Sequence, residues 1–343
     1  MLPPKKKKDM FGKTKLFLVV ASMLCIASCD TIREDLPRCE LWLEFTFDYN
    51  MEYADAFNPQ VKSVDVFVFG SDDKLLFSKR AEATALIGGN RMSLTNELDF
   101  GNYKVLTVGS LSDNFQALDN AGRELVPGTT TLQQLTVALK RASDVVDFEF
   151  QHLYFSEVVK VDHLPSNTDH KVYPVNLIRN TNRFNIALMK YGEGQKNGTQ
   201  YTFEIQAPES ATYSWENEPT LQGPVHYVPH YTGQGETSDV FVSARLNTMR
   251  LFNRDGWDYQ FIIKNADTGT KIWSYDLMKL LSIARPTSRH DGTELPFQEY
   301  LDRQSEWNLI FTVTEKSGGG EFIQIGLVVG TCCLLYTSDA ADE

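Results

Sequence analysis

One cysteine, Cys29, lies at a position where its thiol could be covalently modified, three residues after the end of an apolar run of 11 residues at 16–26. The run follows a basic segment and is too short to span a bilayer, but it is typical of a secretory signal. Its end, Ile26-Ala27-Ser28-Cys29, resembles a bacterial lipobox, in which small residues precede the cut and the thiol takes a thioether-linked diacylglycerol. We therefore predict cleavage after Ser28 and lipidation of Cys29. The alternative is an ordinary signal peptide with an incidental cysteine.

The other four cysteines form neither a disulfide framework nor a spacing that binds metal. Cys25 lies in the predicted signal, Cys332 and Cys333 lie at the far end, and only Cys39 remains in the body of the chain. A single cysteine entering a strand is usually a small apolar core residue. The cysteines therefore predict no disulfide and no zinc site.

Two further groups could in principle bind a metal or transfer protons. His226 and His230 lie four residues apart, but a proline and alternating aromatics between them favour a strand. We expect hydrogen-bonded or solvated histidines there rather than a ligand pair. Asp48, Glu52 and Asp55 lack the ordered spacing and turning glycine of a calcium loop. We therefore predict no metal and no cofactor.

No sequence motif points to catalysis. The chain has no P-loop and none of the HExxH, GxSxG or GxGxxG patterns. A glycosidase needs two facing carboxylates, and no pair of acidic residues is marked out for that role. The prediction is that the protein is not an enzyme and has no catalytic residues.

The charge distribution excludes one class of partner. The formal net charge is −12, but six lysines and one acidic residue precede Cys29, so 27 basic and 44 acidic residues remain and the body carries −17. Such a body repels phosphate backbones, so nucleic acid is not an expected partner. It would not adsorb to anionic lipid unaided, and attachment to a membrane requires an anchor.

The elements that position these groups are predicted to be short strands. Leu41, Leu43, Phe45 and Phe47 are apolar at every second residue, which is typical of a strand with one solvated face. Further strands are predicted at 61–69, 75–79, 91–98, 103–108, 145–154, 156–161, 172–189, 201–205, 225–231, 239–252, 259–264, 271–275, 307–314 and 322–329. Helices are predicted at 277–284 and 132–140. Many short strands with polar turns between them favour sandwiches.

The strands fall into two sets, which predict two β-sandwich domains. The predicted organisation is a lipoprotein signal peptide at 1–28, a lipid-anchored linker at 29–38, an N-terminal β-sandwich at 39–168, a C-terminal β-sandwich at 169–332 and a foreign segment at 333–343. The last segment resembles the translated end of a common transposase sequencing adapter. We therefore expect the second sandwich to be truncated near its end.

Several stretches together resemble the fimbrillin-associated anchor family of Bacteroidota. The most specific is the block formed by residues 35–39 and 43–57, and the supporting stretches are 60–69, 101–105, 180–183 and 298–304. The resemblance implies an all-β fold of two tandem transthyretin-like β-sandwich domains and no catalytic residues. Asp30, Glu34 and Asp35 resemble the acidic signal for surface display of such lipoproteins.

The same resemblance implies a partner and a location. Stalk subunits of these fimbriae polymerise by donor-strand exchange, in which a strand of one subunit completes a sheet of the next. The anchor keeps its lipid, stays in the outer membrane and limits the length of the fibre. Fimbrial structural subunits are thus the expected partners, and the expected location is the surface of the outer membrane.

An alternative function is a surface lipoprotein adhesin that binds a glycan or a host protein. It would use exposed aromatic side chains, for which the tryptophans are the natural choice: Trp42, Trp215, Trp257, Trp273 and Trp307. Most of them lie in strand patterns, so packing in the core is the expected role.

Overall fold

The computed structural model describes residues 40–163, 170–191, 201–220, 223–233, 240–287, 292–316 and 320–329. Over these ranges the protein is almost entirely β, which confirms the all-β prediction. The helices are short: α1 (Phe57–Gln60), α2 (Leu277–Ser282), α3 (Phe297–Arg303) and two 3₁₀ turns at Ala83–Ala85 and Leu132–Gln134. None of the helices in the described ranges has the length and apolarity needed to cross a bilayer.

The strands are numbered in chain order. They are β1 (Glu40–Thr46), β2 (Ser63–Phe69), β3 (Leu75–Glu82), β4 (Arg91–Ser93), β5 (Gly101–Gly109), β6 (Phe115–Asp119), β7 (Leu135–Leu139), β8 (Val145–Val146), β9 (Tyr154–Ser156), β10 (Val159–His163), β11 (His170–Arg179), β12 (Thr181–Tyr191), β13 (Tyr201–Ala207), β14 (Thr212–Ser214), β15 (Val225–Tyr227), β16 (Tyr231–Gly233), β17 (Val240–Met249), β18 (Gln260–Asn265), β19 (Lys271–Asp276), β20 (Glu306–Lys316) and β21 (Gly320–Val329).

These strands form four sheets. The largest has the order β3-β2-β5-β9-β11-β1-β4, with β10 paired to β5. Two five-stranded sheets have the orders β16-β17-β12-β20-β21 and β19-β18-β13-β15-β8, and a three-stranded sheet has the order β14-β7-β6. We call residues 40–179 the first half and residues 181–329 the second half.

The two halves contribute strands to each other's sheets. The short strand β8 of the first half pairs in parallel with β15 of the second. In the other direction, β14 of the second half pairs with β7 of the first. The strand β11, which lies beyond the predicted domain boundary at residue 168, pairs in parallel with β1. The proposed division into domains at residues 168 and 169 stays a prediction.

The burial pattern explains why the strands stack in layers. In β1, buried residues alternate with half-buried ones, as the spacing of Leu41, Leu43 and Phe45 predicts. The strand β2 is buried on both faces: Val66 belongs to one hydrophobic core, and Phe67 belongs to the other. The sheet that contains β2 therefore lies between two apolar layers.

Of the two predicted helices, one is confirmed and one is wrong. Helix α2 begins at its predicted residue, where the Asp276 side chain accepts a hydrogen bond from the Lys279 backbone N–H at 3.1 Å. Residues 132–140 instead form a single 3₁₀ turn followed by β7. The reason is that Leu135, Val137 and Leu139 are buried at every second position, which fixes a strand after the first turn.

Candidate functional site at the junction of the two halves

The residues predicted to carry the lipid lie outside the described part of the chain. Ile26, Ala27, Ser28 and Cys29 all precede Glu40, where the described chain begins at the start of β1. Cys39 lies outside it as well. Cleavage after Ser28 and lipidation of Cys29 therefore stay predictions.

The two histidines that lie four residues apart, His226 and His230, make different hydrogen bonds. His226 Nδ1 lies 2.7 Å from Glu204 Oε1 across the outer face of one sheet, and Lys264 donates to the same carboxylate. Burial of Glu204 disfavours its ionised form, but the hydrogen bonds from Lys264 and His226 outweigh it and lower its pKa. At His230 the backbone N–H donates to the Arg245 carbonyl at 3.0 Å. Within the described ranges, no cluster of three metal-ligating side chains occurs.

The acidic residues near Asp55 stabilise a loop. The Asp55 carboxylate accepts the backbone N–H groups of Phe47 at 2.9 Å and Phe57 at 3.0 Å. The buried Asn50 amide donates to the carbonyls of Phe47 and Ala54 at 2.9 and 2.8 Å. These bonds close the loop upon itself, so the Asp55 side chain has a structural role.

The tryptophans divide between the core and half-buried positions. Trp307 is fully buried. Trp215, Trp257 and Trp273 are half-buried against the larger core. Trp42 is half-buried on β1, and its indole N–H donates to Glu40 at 2.9 Å. The expected packing role therefore holds fully for Trp307 and partly for the others.

Buried amides connect the two halves where β11 passes into β12. Asn180 and Asn217 exchange hydrogen bonds through their side-chain amides, one of them at 3.1 Å. Asn182 donates to the Met249 carbonyl at 2.9 Å and accepts from the Trp307 indole at 3.0 Å. Because each amide uses both its donor and its acceptor, this segment is held in one orientation.

Helix α3 joins the second half to a loop of the first. Asp302 pairs with Arg250 through two bonds of 2.7 and 2.8 Å. The guanidinium of Arg303 lies over the rings of Tyr49 at 4.1 Å and Tyr53 at 4.4 Å. The same guanidinium donates to the Asn50 carbonyl at 3.2 Å. The helix therefore clamps the loop that follows β1.

A cleft of about 640 Å³, lined mostly by polar residues, lies beside α3, and we call it the junction cleft. Its walls come from both halves: Asn50, Met51, Glu52, Ala56, Pro59, Gln60, Lys62, His152, Arg179, Arg183, Asn185, Arg303, Gln304, Ser305, Glu306 and Asn308. Arg179 is only 8% exposed, and its guanidinium lies 5.1 Å from the ring centroid of Phe47. Burial lowers the pKa of Arg179 and also that of His152, so burial favours the neutral imidazole.

The sheet edges differ in how well they are protected. The edge strands β4 and β16 have three residues each, and the longer β3 carries Lys79, Arg80 and Glu82. Short or charged edges resist pairing with other chains.

Strand β21 is different: its ten residues all pair with β20, and no described strand lies on its other side. Its sequence has one charged residue, Glu321, and no proline. Strand β21 is the longest edge strand in the described part of the chain, which suits it to accept another strand.

A buried carboxyl group in the second half is expected to make stability depend on pH. Glu209 is 2% exposed, and burial raises its pKa to about 7, although the Tyr259 hydroxyl donates to it. The folded protein therefore keeps a proton that the unfolded chain releases above about pH 4.5. Stability contributed at this site is lost as the pH rises from about 4.5 to 7.

Replacing Glu209 by glutamine should remove this dependence. At pH 8 we expect the free energy of unfolding to increase by roughly 3 kcal/mol, because a neutral amide replaces a buried carboxylate. At pH 4 the two proteins should differ little. Urea unfolding at both pH values measures this, with the exposed Glu157→Gln as a control. An effect of Glu209→Gln that is the same at both pH values would contradict the assignment.

Stacked sheets that exchange short strands between two halves define an all-β protein. A model of the fimbrillin-A associated anchor proteins, Mfa1 and Mfa2, matches residues 36–331, and the chain belongs to this family. The family is fimbrium-associated and non-enzymatic, which places the protein among fimbrial anchors and adhesins of the cell surface. The family resemblance seen in the sequence is thereby confirmed.

Solved structures agree with this family. The chain is 75% identical to a candidate adhesin from Bacteroides ovatus, with 91% of this chain and 99% of that one covered and a TM-score of 0.82. It is 28% identical to a Bacteroides thetaiotaomicron structure described as a candidate polysaccharide-binding protein, with 84% and 95% covered and a TM-score of 0.70. The fimbrial anchor protein Mfa2 from Porphyromonas gingivalis shares the fold, at 16% identity, 84% and 96% coverage and a TM-score of 0.62. No curated protein sequence matches the chain.

Proposed function

We propose that this protein tethers the base of a fimbrium to the outer membrane through a lipid on Cys29. The observation that carries the proposal is the match of the anchor family over residues 36–331. The lipobox-like sequence that ends at Cys29 supplies the attachment point that an anchor needs. The acidic body cannot supply it, since it repels anionic lipid. Two or three acyl chains bind a membrane far more firmly than one.

The spacing between Cys29 and β1 sets how far the body can stand from the membrane. Glu40 follows Cys29 by 11 positions. A fully extended chain of that length reaches at most about 40 Å. A lipidated Cys29 would therefore keep the body close to the outer leaflet. The fibre would then attach to a protein that cannot diffuse away from the cell.

We further propose that the fibre docks by strand addition at β21. Main-chain hydrogen bonds from an added strand would satisfy the unpaired groups of this edge, and the side chains would select the partner. The low charge and absence of proline in β21 favour such pairing. A subunit held this way would end the polymer at the membrane, which would limit fibre length.

The test of the anchor function is Cys29→Ala in cells that make the fimbriae. We expect the variant protein to move from the membrane fraction to the soluble fraction, and fimbriae to be shed into the medium. Cys39→Ala is the matched control, because that cysteine lies outside the lipobox-like sequence and should leave attachment unchanged. Fimbriae that stay on the cell at normal length in the Cys29→Ala strain would disprove the proposal.

The second candidate function is an adhesin that binds a glycan or a host protein. It is favoured by one observation, namely the 28% identical relative that is described as binding polysaccharide. The Cys29 experiment separates the two functions. An adhesin that does not anchor fimbriae would be released from the membrane by Cys29→Ala while the fimbriae stayed attached.

A further inference from the structure

We propose that the junction cleft binds a carboxylated sugar, with the carboxylate of a uronic acid residue held by Arg179 and Arg183. This goes beyond anchoring and does not depend on it. The proposal assigns a ligand class to a cleft that no sequence motif marks.

The sign of the charge in the cleft is opposite to that of the protein. Four cationic side chains line it, against the two carboxylates of Glu52 and Glu306. The body as a whole carries a formal charge of −17. A concentration of positive charge at one concave place on an acidic protein attracts anions there and repels them elsewhere.

Among the described residues, no carboxylate forms a direct ion pair with the buried Arg179, and Glu306 acts on its charge only at longer range. The Nε of Arg179 is buried and has no hydrogen-bond acceptor. One face of the guanidinium lies against Phe47, which holds the group in place and excludes water from that side. Burying a charged group without a partner is unfavourable, so an anion that enters the cleft gains a strong hydrogen-bonding partner.

Arg183 provides a second guanidinium group, whose N–H donors are only partly paired. Its buried Nε also lacks an acceptor. Its Nη1 lies 3.7 Å from Glu306, which is shared with His152 Nε2 at 3.6 Å. These contacts are long, so Glu306 only partly balances Arg183. Two guanidinium groups that face one cleft suit the two oxygens of a carboxylate, because each presents several N–H donors in a fixed plane.

The neutral lining favours a sugar over a peptide. The side-chain NH₂ group of Asn185 donates to the side-chain oxygen of Asn308 at 3.0 Å. The side-chain oxygen of Asn185 and the NH₂ group of Asn308 can therefore bond to hydroxyl groups of a ligand. Both lie on strands, β12 and β20, that already pair with neighbours, so a peptide finds no free backbone there. The lining contains no aromatic pocket for a peptide side chain. A cleft of about 640 Å³ is of the size that small ligands occupy.

The test is calorimetric titration of the purified, folded chain with sodium glucuronate, and with glucose as the uncharged counterpart. We expect glucuronate to bind and glucose not to bind. Arg179→Gln should weaken glucuronate binding about tenfold or more, because a charge-assisted hydrogen bond is lost. Arg123→Gln, at an exposed arginine that lies after β6 and does not line the cleft, is the matched control and should bind as the wild type does.

Three results would overturn the proposal: equal binding of glucose and glucuronate, no binding of glucuronate to the wild-type protein at millimolar concentration, or unchanged binding by Arg179→Gln. Tighter binding of a triglutamate peptide would assign the cleft to an acidic peptide instead. If Arg179→Gln unfolds, which its thermal transition would reveal, then Arg183→Gln takes its place with the same expectation. Failure here leaves the Cys29 result unaffected, so the two proposals can fail separately.

Discussion

Replacing Asp302 by alanine should lower the free energy of unfolding by about 3–5 kcal/mol, as expected for breaking a buried ion pair on one side. The side chains of Arg250 and Asp302 are only 13% and 5% exposed, and they share two hydrogen bonds. Burial alone would lower the pKa of Arg250, but pairing with Asp302 raises it above its ordinary value. Without Asp302 a buried guanidinium would remain with no counterion.

The control for this prediction is an exposed pair in the same half. Arg254 and Glu218 form an ion pair in which both side chains are more than a third exposed. We expect Glu218→Gln to change the free energy of unfolding by less than about 1 kcal/mol. The midpoints of urea unfolding of the two variants measure the difference. If Asp302→Ala were no more destabilising than Glu218→Gln, the position of helix α3 would not depend on the buried Arg250–Asp302 pair.

Periodicity in the sequence predicted most of the strands because one face of each is buried. In β1 the alternation is complete, and the structure buries Leu41, Leu43 and Phe45 while their neighbours stay half-exposed. Periodicity did not predict that β8 and β14 would cross between the halves. Strands of two and three residues are too short to show a period, and their pairing depends on contacts distant in the sequence.

Helix α3 was missed for a related reason. Its seven residues make fewer than two turns, and Pro296 precedes it without a capping side chain. What fixes the helix is tertiary: Tyr300 and Leu301 are buried, and Asp302 reaches Arg250. The resemblance to the family over residues 298–304 marks this segment in the sequence, but it does not predict a helix.

The junction cleft could not be predicted from spacing, because its charged residues come from distant parts of the chain. Lys62, Arg179, Arg183 and Arg303 have no common motif. Yet three stretches that carry the family resemblance, within residues 43–57, 180–183 and 298–304, meet at this junction. We infer that the resemblance reflects the way the two halves are held together. The predicted lipid site lies elsewhere in the chain, at residues 26–29.

Replacing Trp307 by alanine should lower the free energy of unfolding by about 3–5 kcal/mol. The variant shows how much the buried indole stabilises the contact between the two halves. The Trp307 ring is fully buried, packs edge-on against Tyr300 at 5.4 Å and bonds to Asn182. Trp307→Phe keeps the aromatic packing but leaves Asn182 without its indole donor, so a smaller loss of about 1–3 kcal/mol is expected. Trp42→Ala, at a half-buried position on β1, is the control and should cost less than either. Urea unfolding ranks the three variants, and any other order would mean that the indole is not central to the junction. The expected order follows because the Trp307 indole, unlike that of Trp42, contacts both Tyr300 of helix α3 and the buried amide of Asn182.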